Sequence, residues 1–332
     1  MNEKSFHAFV VSKTKDNSYT REVTERKIND LPEGDVLIRV RYSSLNYKDG
    51  LSCIGNPGVT RNFPHTPGIE ASGEVEKTRD SRFKVGDFVI VTGYNLGMDI
   101  SGGFGQYIRV PADWVVPLPK GLTSKEASIY GVAGFTAALS VNALKKQGIY
   151  PEDGDILVTG ATGGVGSVAV IALNKMGYNV TAVTGKDSKA DYLKSLGAKS
   201  IINRKEFDKD PRLIDKGLWD GVVDTVGGKI LANAIVQTNP NGIIAVCGNA
   251  NTNELHTSVI PFMLRGIKLW GMDSANCSIK RREFIWGEAK NLIDFNLLEK
   301  SIQIVSLEEL LEVYPKILKG EISGRVLVDL KK

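Results

Sequence analysis

The chain has 332 residues, a formal net charge of +4, 42% hydrophobic residues and 24% charged residues. This length favours two domains, and the composition is typical of an ordinary globular protein. Because the sequence shows no basic block, no apolar run of roughly 18 residues and no signal core after Met1, we expect a cytoplasmic protein that binds neither nucleic acid nor membrane.

The first part of the chain has the pattern of strands and turns. Alternating and apolar runs, bounded by glycine- and proline-marked corners, predict strands at 36–41, 87–91, 106–110 and 114–118. Helical spacing becomes frequent from Ser124 onward. We therefore expect a β-rich domain over residues 1–125.

A glycine-rich turn follows the apolar segment 156–158. Gly160, Gly163 and Gly166 separate this predicted strand from a predicted helix at 165–176. A pyrophosphate needs backbone N–H groups at close range, and glycines leave room for that approach. The spacing differs from the common G-x-G-x-x-G, but the surrounding βαβ unit favours a dinucleotide site. The alternative is a glycine turn in another kind of α/β protein.

The end of the next predicted strand indicates which dinucleotide binds. NAD sites usually carry an acid about 20 residues beyond the glycines, where it holds the ribose 2′-hydroxyl. Here the strand ends in Thr184, Gly185 and Lys186, and Arg204 follows the next apolar pair. A hydroxyl and two cations suit a 2′-phosphate, which predicts NADPH as the cofactor. The alternative is that both cations are ordinary solvated charges.

Asp187 is the contrary signal, because an acid in this position would serve a ribose if the strand ended later. With Ser188, however, it also matches the start of a predicted helix at 190–196.

Strands and helices alternate through the second half of the chain. The predicted strands are 178–184, 199–202, 221–224, 242–246 and 267–270. They predict a doubly wound parallel sheet, in which ligands bind at the carboxyl ends of the strands. The residues expected at those ends are Gly160, Thr184, Arg204, Thr225 and Gly248. A helix at 281–295, a helix at 308–318 and a strand at 325–330 are predicted to follow.

This order of parts resembles the medium-chain dehydrogenase/reductase superfamily over nearly the whole chain. The stretches SLNYKD (44–49), RNFP (61–64) with Pro67-Gly68, AGFTA (133–137), and TGK (184–186) with YLKSLGA (192–198) are similar to the YhdH/YhfP quinone oxidoreductases, which include NADPH-dependent acrylyl-CoA reductases. The resemblance implies a GroES-like catalytic domain (1–125 and 274–332), a Rossmann NADPH-binding domain (126–273), a cofactor between them and a homodimer.

The sequence departs from zinc alcohol dehydrogenases where those enzymes hold their metal. Asn46-Tyr47 replaces a ligand cysteine, and Gly68-Ile69-Glu70 replaces Gly-His-Glu. No Cys/His set with metal-ligand spacing remains, so we expect no metal site. Without a Lewis acid, reduction of an unactivated carbonyl is difficult, whereas hydride addition to a conjugated acceptor leaves a delocalised enolate.

We therefore expect NADPH-dependent reduction of the C=C bond of an α,β-unsaturated carbonyl compound, with acrylyl-CoA or a related enoyl thioester as the substrate. Quinone reduction is an alternative. A second alternative is a binding protein that senses NADPH with little turnover.

Three residues are candidates for contact with the substrate. The resemblance implies that Tyr47 lies beside the nicotinamide, where its hydroxyl orients or protonates substrate, or where the ring only packs. Asn46 either donates to the enolate or the ribose, or caps the following turn. Arg61 either meets an anionic substrate tail or forms a structural ion pair.

The same resemblance implies a larger set of cofactor-binding residues, although the sequence leaves the register of the loop around Asn249 open. These residues are Tyr47, Gly160, Gly163, Gly164, Val165, Gly166, Ser167, Val168, Ala169, Thr184, Gly185, Lys186, Ser188, Arg204, Asn249, Met263 and Ser274.

Overall fold

The computed structural model describes residues 4–331, which form two compact units. The first unit runs to Val132 and also contains Ala275–Gly287 and the chain from Ser301 onward; the second contains Ala133–Ser274 and Glu288–Lys300. The domain boundaries predicted from the sequence, at 126 and 273, assign Glu288–Lys300 to the GroES-like catalytic domain, whereas the structure places this segment in the second unit. This segment packs with the second unit, where the Lys175 ammonium donates to the carbonyls of Lys290 at 2.7 Å and Ile293 at 2.9 Å.

The strands and helices of the described residues are numbered in chain order. The strands are β1 (Ser5–Lys13), β2 (Tyr19–Lys27), β3 (Val36–Leu45), β4 (Glu70–Thr78), β5 (Phe88–Thr92), β6 (Tyr107–Val110), β7 (Val115–Pro117), β8 (Asp155–Val158), β9 (Asn179–Thr184), β10 (Ser200–Asn203), β11 (Trp219–Asp224), β12 (Thr238–Val246), β13 (Lys268–Gly271), β14 (Ile302–Val305) and β15 (Arg325–Asp329). The helices are α1 (Tyr47–Cys53), α2 (Ser124–Lys146), α3 (Gly164–Lys175), α4 (Ala190–Ser195), α5 (Gly228–Val236), α6 (Ile260–Arg265), α7 (Ile279–Gly287), α8 (Ala289–Leu292), α9 (Phe295–Glu299) and α10 (Leu310–Leu318).

The first unit is built on a sheet of order β14-β15-β3-β4-β5-β7, with β6 also paired to β3 and a separate β1–β2 hairpin. Apart from the parallel pair β14–β15, its strands are antiparallel. Buried side chains such as Phe9, Val40, Val91 and Phe104 form its core. Because β15 pairs with β3, Val326 lies opposite Leu45, and the C-terminal strand reaches the segment before α1.

The second unit contains a six-stranded parallel sheet of order β10-β9-β8-β11-β12-β13. The strand order reverses between β8 and β11, which is where doubly wound sheets open a crevice at their carboxyl edge. The prediction of this edge is confirmed, because the strands end at or just before all five expected residues: Gly160, Thr184, Arg204, Thr225 and Gly248.

Two predictions about local structure are corrected. Strands β1, β2, β4 and β14 were not predicted; in β2 and β4, charged residues and glycine interrupt the apolar pattern. The single helix predicted at 281–295 is wrong. The segment is divided into α7, α8 and the start of α9, and α9 begins separately because the Asp294 carboxylate caps it by accepting from the N–H groups of Asn296 and Leu297.

Among residues 4–331, α2 alone is long and apolar enough to cross a membrane, and 89% of its apolar window is buried within the protein. Its backbone is broken at Gly131, which has φ 53° and ψ −157°. Burial in the core accounts for the apolar composition of this helix.

Candidate active site

The turn between β8 and α3 fits the pyrophosphate of a dinucleotide. Gly160 has φ 58°, a conformation that favours glycine. A Cβ on Gly166 would lie 2.7 Å from the Cα of Ala161, so the turn and the helix touch through backbone alone. Gly163 is the N-cap residue of the twelve-residue helix α3. Because glycine has no side chain, nothing from this residue covers the N-terminus of the helix. The first N–H groups of α3 are therefore open to an anion.

Buried hydrogen bonds fix the carboxyl ends of β8 and β11 against each other. The Asp224 carboxylate accepts from the Thr159 hydroxyl at 2.6 Å and from the Gly227 N–H at 2.9 Å. The Thr225 hydroxyl donates to the Thr159 carbonyl at 2.9 Å. Burial raises the pKa of Asp224, and these hydrogen bonds oppose the shift. The role of Asp224 was not predicted, although its signal is local: a carboxylate at the last position of an apolar strand.

Two positively charged residues, Lys186 and Arg204, lie near the carboxyl end of β9. Arg204 packs against Gly185, where a Cβ would lie 2.7 Å from the Arg204 Cδ and 2.8 Å from its Cζ. The Lys186 N–H donates to the Thr184 hydroxyl at 3.1 Å, which closes the strand end. Asp187 accepts from the Asn203 side chain and opens a 3₁₀ turn before α4. Asp187 therefore lies beyond the end of β9, in the turn before α4. This position agrees with the interpretation that Asp187 starts the next helical segment and does not hold a ribose.

The remaining expected cofactor residues of the second unit differ in accessibility. Gly164 and Val165 are partly exposed on the first turn of α3, whereas Ser167, Val168 and Ala169 are buried, so they support the turn from within the core. Three others are more accessible: Ser188 is exposed in the 3₁₀ turn, Asn249 in the loop after β12, and Met263 on α6. Ser274 is the last residue before the chain returns to the first unit.

Tyr47 opens α1 in the first unit. Its side chain is 40% exposed, so it does not serve as a core residue of that unit. The Asn46 N–H donates to the Asp49 carboxylate at 2.7 Å, which fixes the start of the helix. Tyr47 is therefore an accessible phenol on a fixed backbone.

Asn46 does not have the free amide that a direct donor to substrate requires. Its Oδ1 accepts from Arg325 Nη1 at 3.0 Å, and its Nδ2 donates to the Ser44 carbonyl at 3.1 Å and to Glu70 Oε2 at 3.4 Å. Both ends of the amide are thus occupied within the first unit. Asn46 is the N-cap of α1, so these contacts favour the alternative that it caps the following turn, with a positioning role, over direct donation to the enolate or the ribose.

Asp49 links α1 to the segment that replaces Gly-His-Glu. Its fully buried carboxylate accepts from the N–H groups of Gly68 at 3.1 Å and Ile69 at 2.9 Å. Burial raises the pKa of Asp49 to about 7, against the effect of these hydrogen bonds. This role of Asp49 was not predicted, because it depends on contacts across 19 and 20 residues of the chain.

Arg61 is exposed. Its Nε donates to the Pro57 carbonyl at 3.4 Å, and its backbone N–H donates to Asp99 at 3.3 Å.

Within residues 4–331, no group of three or more His, Cys, Asp and Glu side chains is arranged to hold a metal ion.

Comparison with known families identifies both units. Residues 32–120 match the alcohol dehydrogenase GroES-like domain, and residues 164–291 match the zinc-binding dehydrogenase family. Together with the parallel sheet and the glycine turn, these matches define a medium-chain dehydrogenase/reductase.

Individual relatives place the chain more narrowly. It is 46% identical to YhfP of Bacillus subtilis, named as a quinone oxidoreductase, over 91% of this chain and 92% of that protein. It is 44% identical to the acrylyl-CoA reductase AcuI of Ruegeria pomeroyi, over 98% of this chain and 99% of the relative. The chain therefore belongs to the YhdH/YhfP family of the superfamily, and it is an oxidoreductase.

Solved structures agree with this assignment. The yhdH oxidoreductase of Salmonella enterica in complex with NADP has a TM-score of 0.95 and 41% identity, and the match covers 97% of this chain and 99% of that one. Bacillus subtilis YhfP with NAD bound has a TM-score of 0.95 and 43% identity, over 98% of this chain and 99% of that one. A nicotinamide dinucleotide is thus the cofactor class of these relatives.

Proposed function

We propose that the protein reduces the C=C bond of an α,β-unsaturated carbonyl compound, with acrylyl-CoA or a related enoyl thioester as substrate. The observation that carries this proposal is the accessible Tyr47 phenol on the fixed start of α1. The similarity to an acrylyl-CoA reductase over 98% of the chain supports it.

The chain's own residues meet the needs of this reaction. When bound, the dinucleotide supplies a hydride. Conjugation in the substrate delocalises the negative charge that addition at the β-carbon leaves, so a hydrogen-bond donor suffices where other enzymes use a metal. The Tyr47 hydroxyl donates to the enolate oxygen or delivers a proton to the α-carbon.

The cofactor that we propose is NADPH. Lys186 and Arg204 provide positive charge at the end of β9, and Asp187 is engaged with Asn203. Because the related YhfP structure holds NAD, the preference is measured by titrating the protein with both reduced cofactors.

Quinone reduction is the second candidate, favoured by the name of the 46% identical relative. One assay separates the candidates: initial rates of NADPH oxidation with acrylyl-CoA, with methyl vinyl ketone and with a benzoquinone. The proposal expects the highest kcat/KM for the enoyl thioester. A higher kcat/KM for the quinone supports the second candidate, and NADPH binding without turnover of any of the three supports a sensing role.

We also propose a homodimer formed through β13. This strand is the edge of the six-stranded sheet, and Leu269 and Trp270 on it are 39% and 37% exposed. An apolar edge strand is a pairing surface for a second copy. Sedimentation is expected to show a dimer for the parent and a monomer for Trp270→Asp, with Phe284→Asp on α7 as the exposed control. A monomeric parent would contradict this arrangement.

A further inference from the structure

The break in α2 interrupts the backbone hydrogen bonding of a buried helix. At Gly131 the backbone leaves the helical conformation, with φ 53° and ψ −157°. Arg325 Nε donates to the Ile129 carbonyl at 3.0 Å, and the Val132 N–H donates to Glu70 Oε2 at 2.6 Å. Glu70 and Arg325 therefore bind the backbone on both sides of the break.

These two side chains form a buried ion pair. Arg325 Nη2 lies 3.7 Å from Glu70 Oε2, and both side chains are 2% exposed. A Cβ on Gly131 would lie 2.7 Å from the Glu70 Cδ, so the carboxylate reaches the helix only because residue 131 is glycine. Buried pairs of this kind add little net stability, so a specific geometry is the better reason for this one.

The same pair holds the residue that precedes Tyr47. Arg325 Nη1 donates to the Asn46 Oδ1 at 3.0 Å, and Asn46 Nδ2 donates to Glu70 at 3.4 Å. The Ser44 hydroxyl donates to Glu70 and accepts from Arg325. The start of α1 and the break in α2 are thereby joined through one ion pair inside the first unit.

We propose that Glu70 and Arg325 are positioning residues for Tyr47, holding Asn46 and the α2 break in a single arrangement. This inference rests on the proposed function, in which the Tyr47 hydroxyl acts on the substrate. Misplacement of a reacting group by about 1 Å costs on the order of 100-fold in rate. Loss of the pair is therefore expected to lower kcat rather than cofactor affinity.

The test compares Glu70→Gln and Arg325→Lys with the matched control Glu74→Gln. Glu74 lies on the same strand, β4, and pairs with Arg39 and Arg41 near the surface. For the first two variants we expect kcat for acrylyl-CoA to fall about 100-fold, with the NADPH Kd within about 2-fold of the parent. The control is expected to keep the parent kcat. In both test variants, hydrogen exchange is expected to be faster at the Val132 and Asn46 amides.

Parent-like kcat in both test variants overturns the inference, as does a loss of kcat that only follows a smaller folded fraction. If those variants fail to fold, Ser44→Ala removes a single shared hydroxyl, and a fall in kcat of about 5- to 10-fold is expected. Unchanged kcat in Ser44→Ala contradicts the proposal. If the parent reduces none of the substrates, the proposed function fails, and Asn46 exchange in Arg325→Lys still decides whether the pair positions α1.

Discussion

Gly185→Ala is expected to reduce the preference for NADPH without harming the fold. The added methyl carbon would lie 2.7 Å from Arg204 Cδ and 2.8 Å from Cζ, inside van der Waals contact. Those atoms belong to a long, exposed side chain, so the guanidinium moves while the backbone stays in place. The substitution therefore acts on the proposed 2′-phosphate contact.

The size of the effect follows from the interaction that is lost. A hydrogen bond to a charged group contributes about 1.5–3 kcal/mol, and each 1.4 kcal/mol changes an equilibrium constant about tenfold. NADPH affinity is thus expected to fall about 10- to 100-fold, and NADH affinity to stay the same because NADH lacks the 2′-phosphate. Arg204→Ala is expected to give a similar loss. The two substitutions together are expected to be less than additive, since both remove one contact.

The assay is fluorescence titration of each variant with NADPH and with NADH, supported by thermal unfolding. Gly287→Ala at the end of α7 is the matched control, because a Cβ there meets no atom within 4 Å and the residue lies outside the proposed dimer strand. An unchanged NADPH-to-NADH ratio in Gly185→Ala, or an equal loss for both cofactors, would refute the reasoning.

Three further predictions concern the reaction, the metal and the pH dependence. Tyr47→Phe is expected to lower kcat about 10- to 1000-fold with NADPH affinity nearly unchanged, measured as enoyl reduction; a parent-like Phe variant contradicts the role of the hydroxyl. Activity is expected to survive exhaustive chelation, with no stoichiometric zinc by elemental analysis, and a chelator-sensitive enzyme would overturn the metal-free mechanism. Burial lowers the pKa of His65, so its folded state resists protonation. It therefore contributes stability above its ordinary pKa of about 6.5 that is lost as the pH falls below it; denaturant unfolding of the parent and His65→Gln across this range is expected to show a steeper acid loss in the parent.

The nucleotide-binding edge was predictable because its signals are local. Each strand, the glycine turn and the residues after each strand are contiguous in sequence, and a parallel sheet brings its carboxyl ends to one edge. Gly160, Thr184 and Arg204 could therefore be placed without knowledge of their contacts. The steric role of Gly185 could not be predicted, because it depends on Arg204 folding back from the neighbouring strand.

The network behind Tyr47 was not predictable for the opposite reason. Asn46 and Arg325 are 279 residues apart in the chain, and their contact depends on the pairing of β15 with β3. A charged residue at the start of a strand ordinarily indicates a solvent-facing position, yet Arg325 is buried. Only the register of the sheet shows that this side chain points to Asn46.

This register gives the C-terminal strand a second role beyond extending the sheet. Val326 lies opposite Leu45, which brings Arg325 to the residues directly before α1. A strand that only added area would tolerate any residue suited to a buried sheet, whereas a guanidinium with three separate acceptors requires Arg in particular. In a site proposed to work without a metal, the proposed catalytic phenol of Tyr47 needs a fixed backbone, and the hydrogen bonds proposed to hold it include those from Arg325 near the far end of the chain.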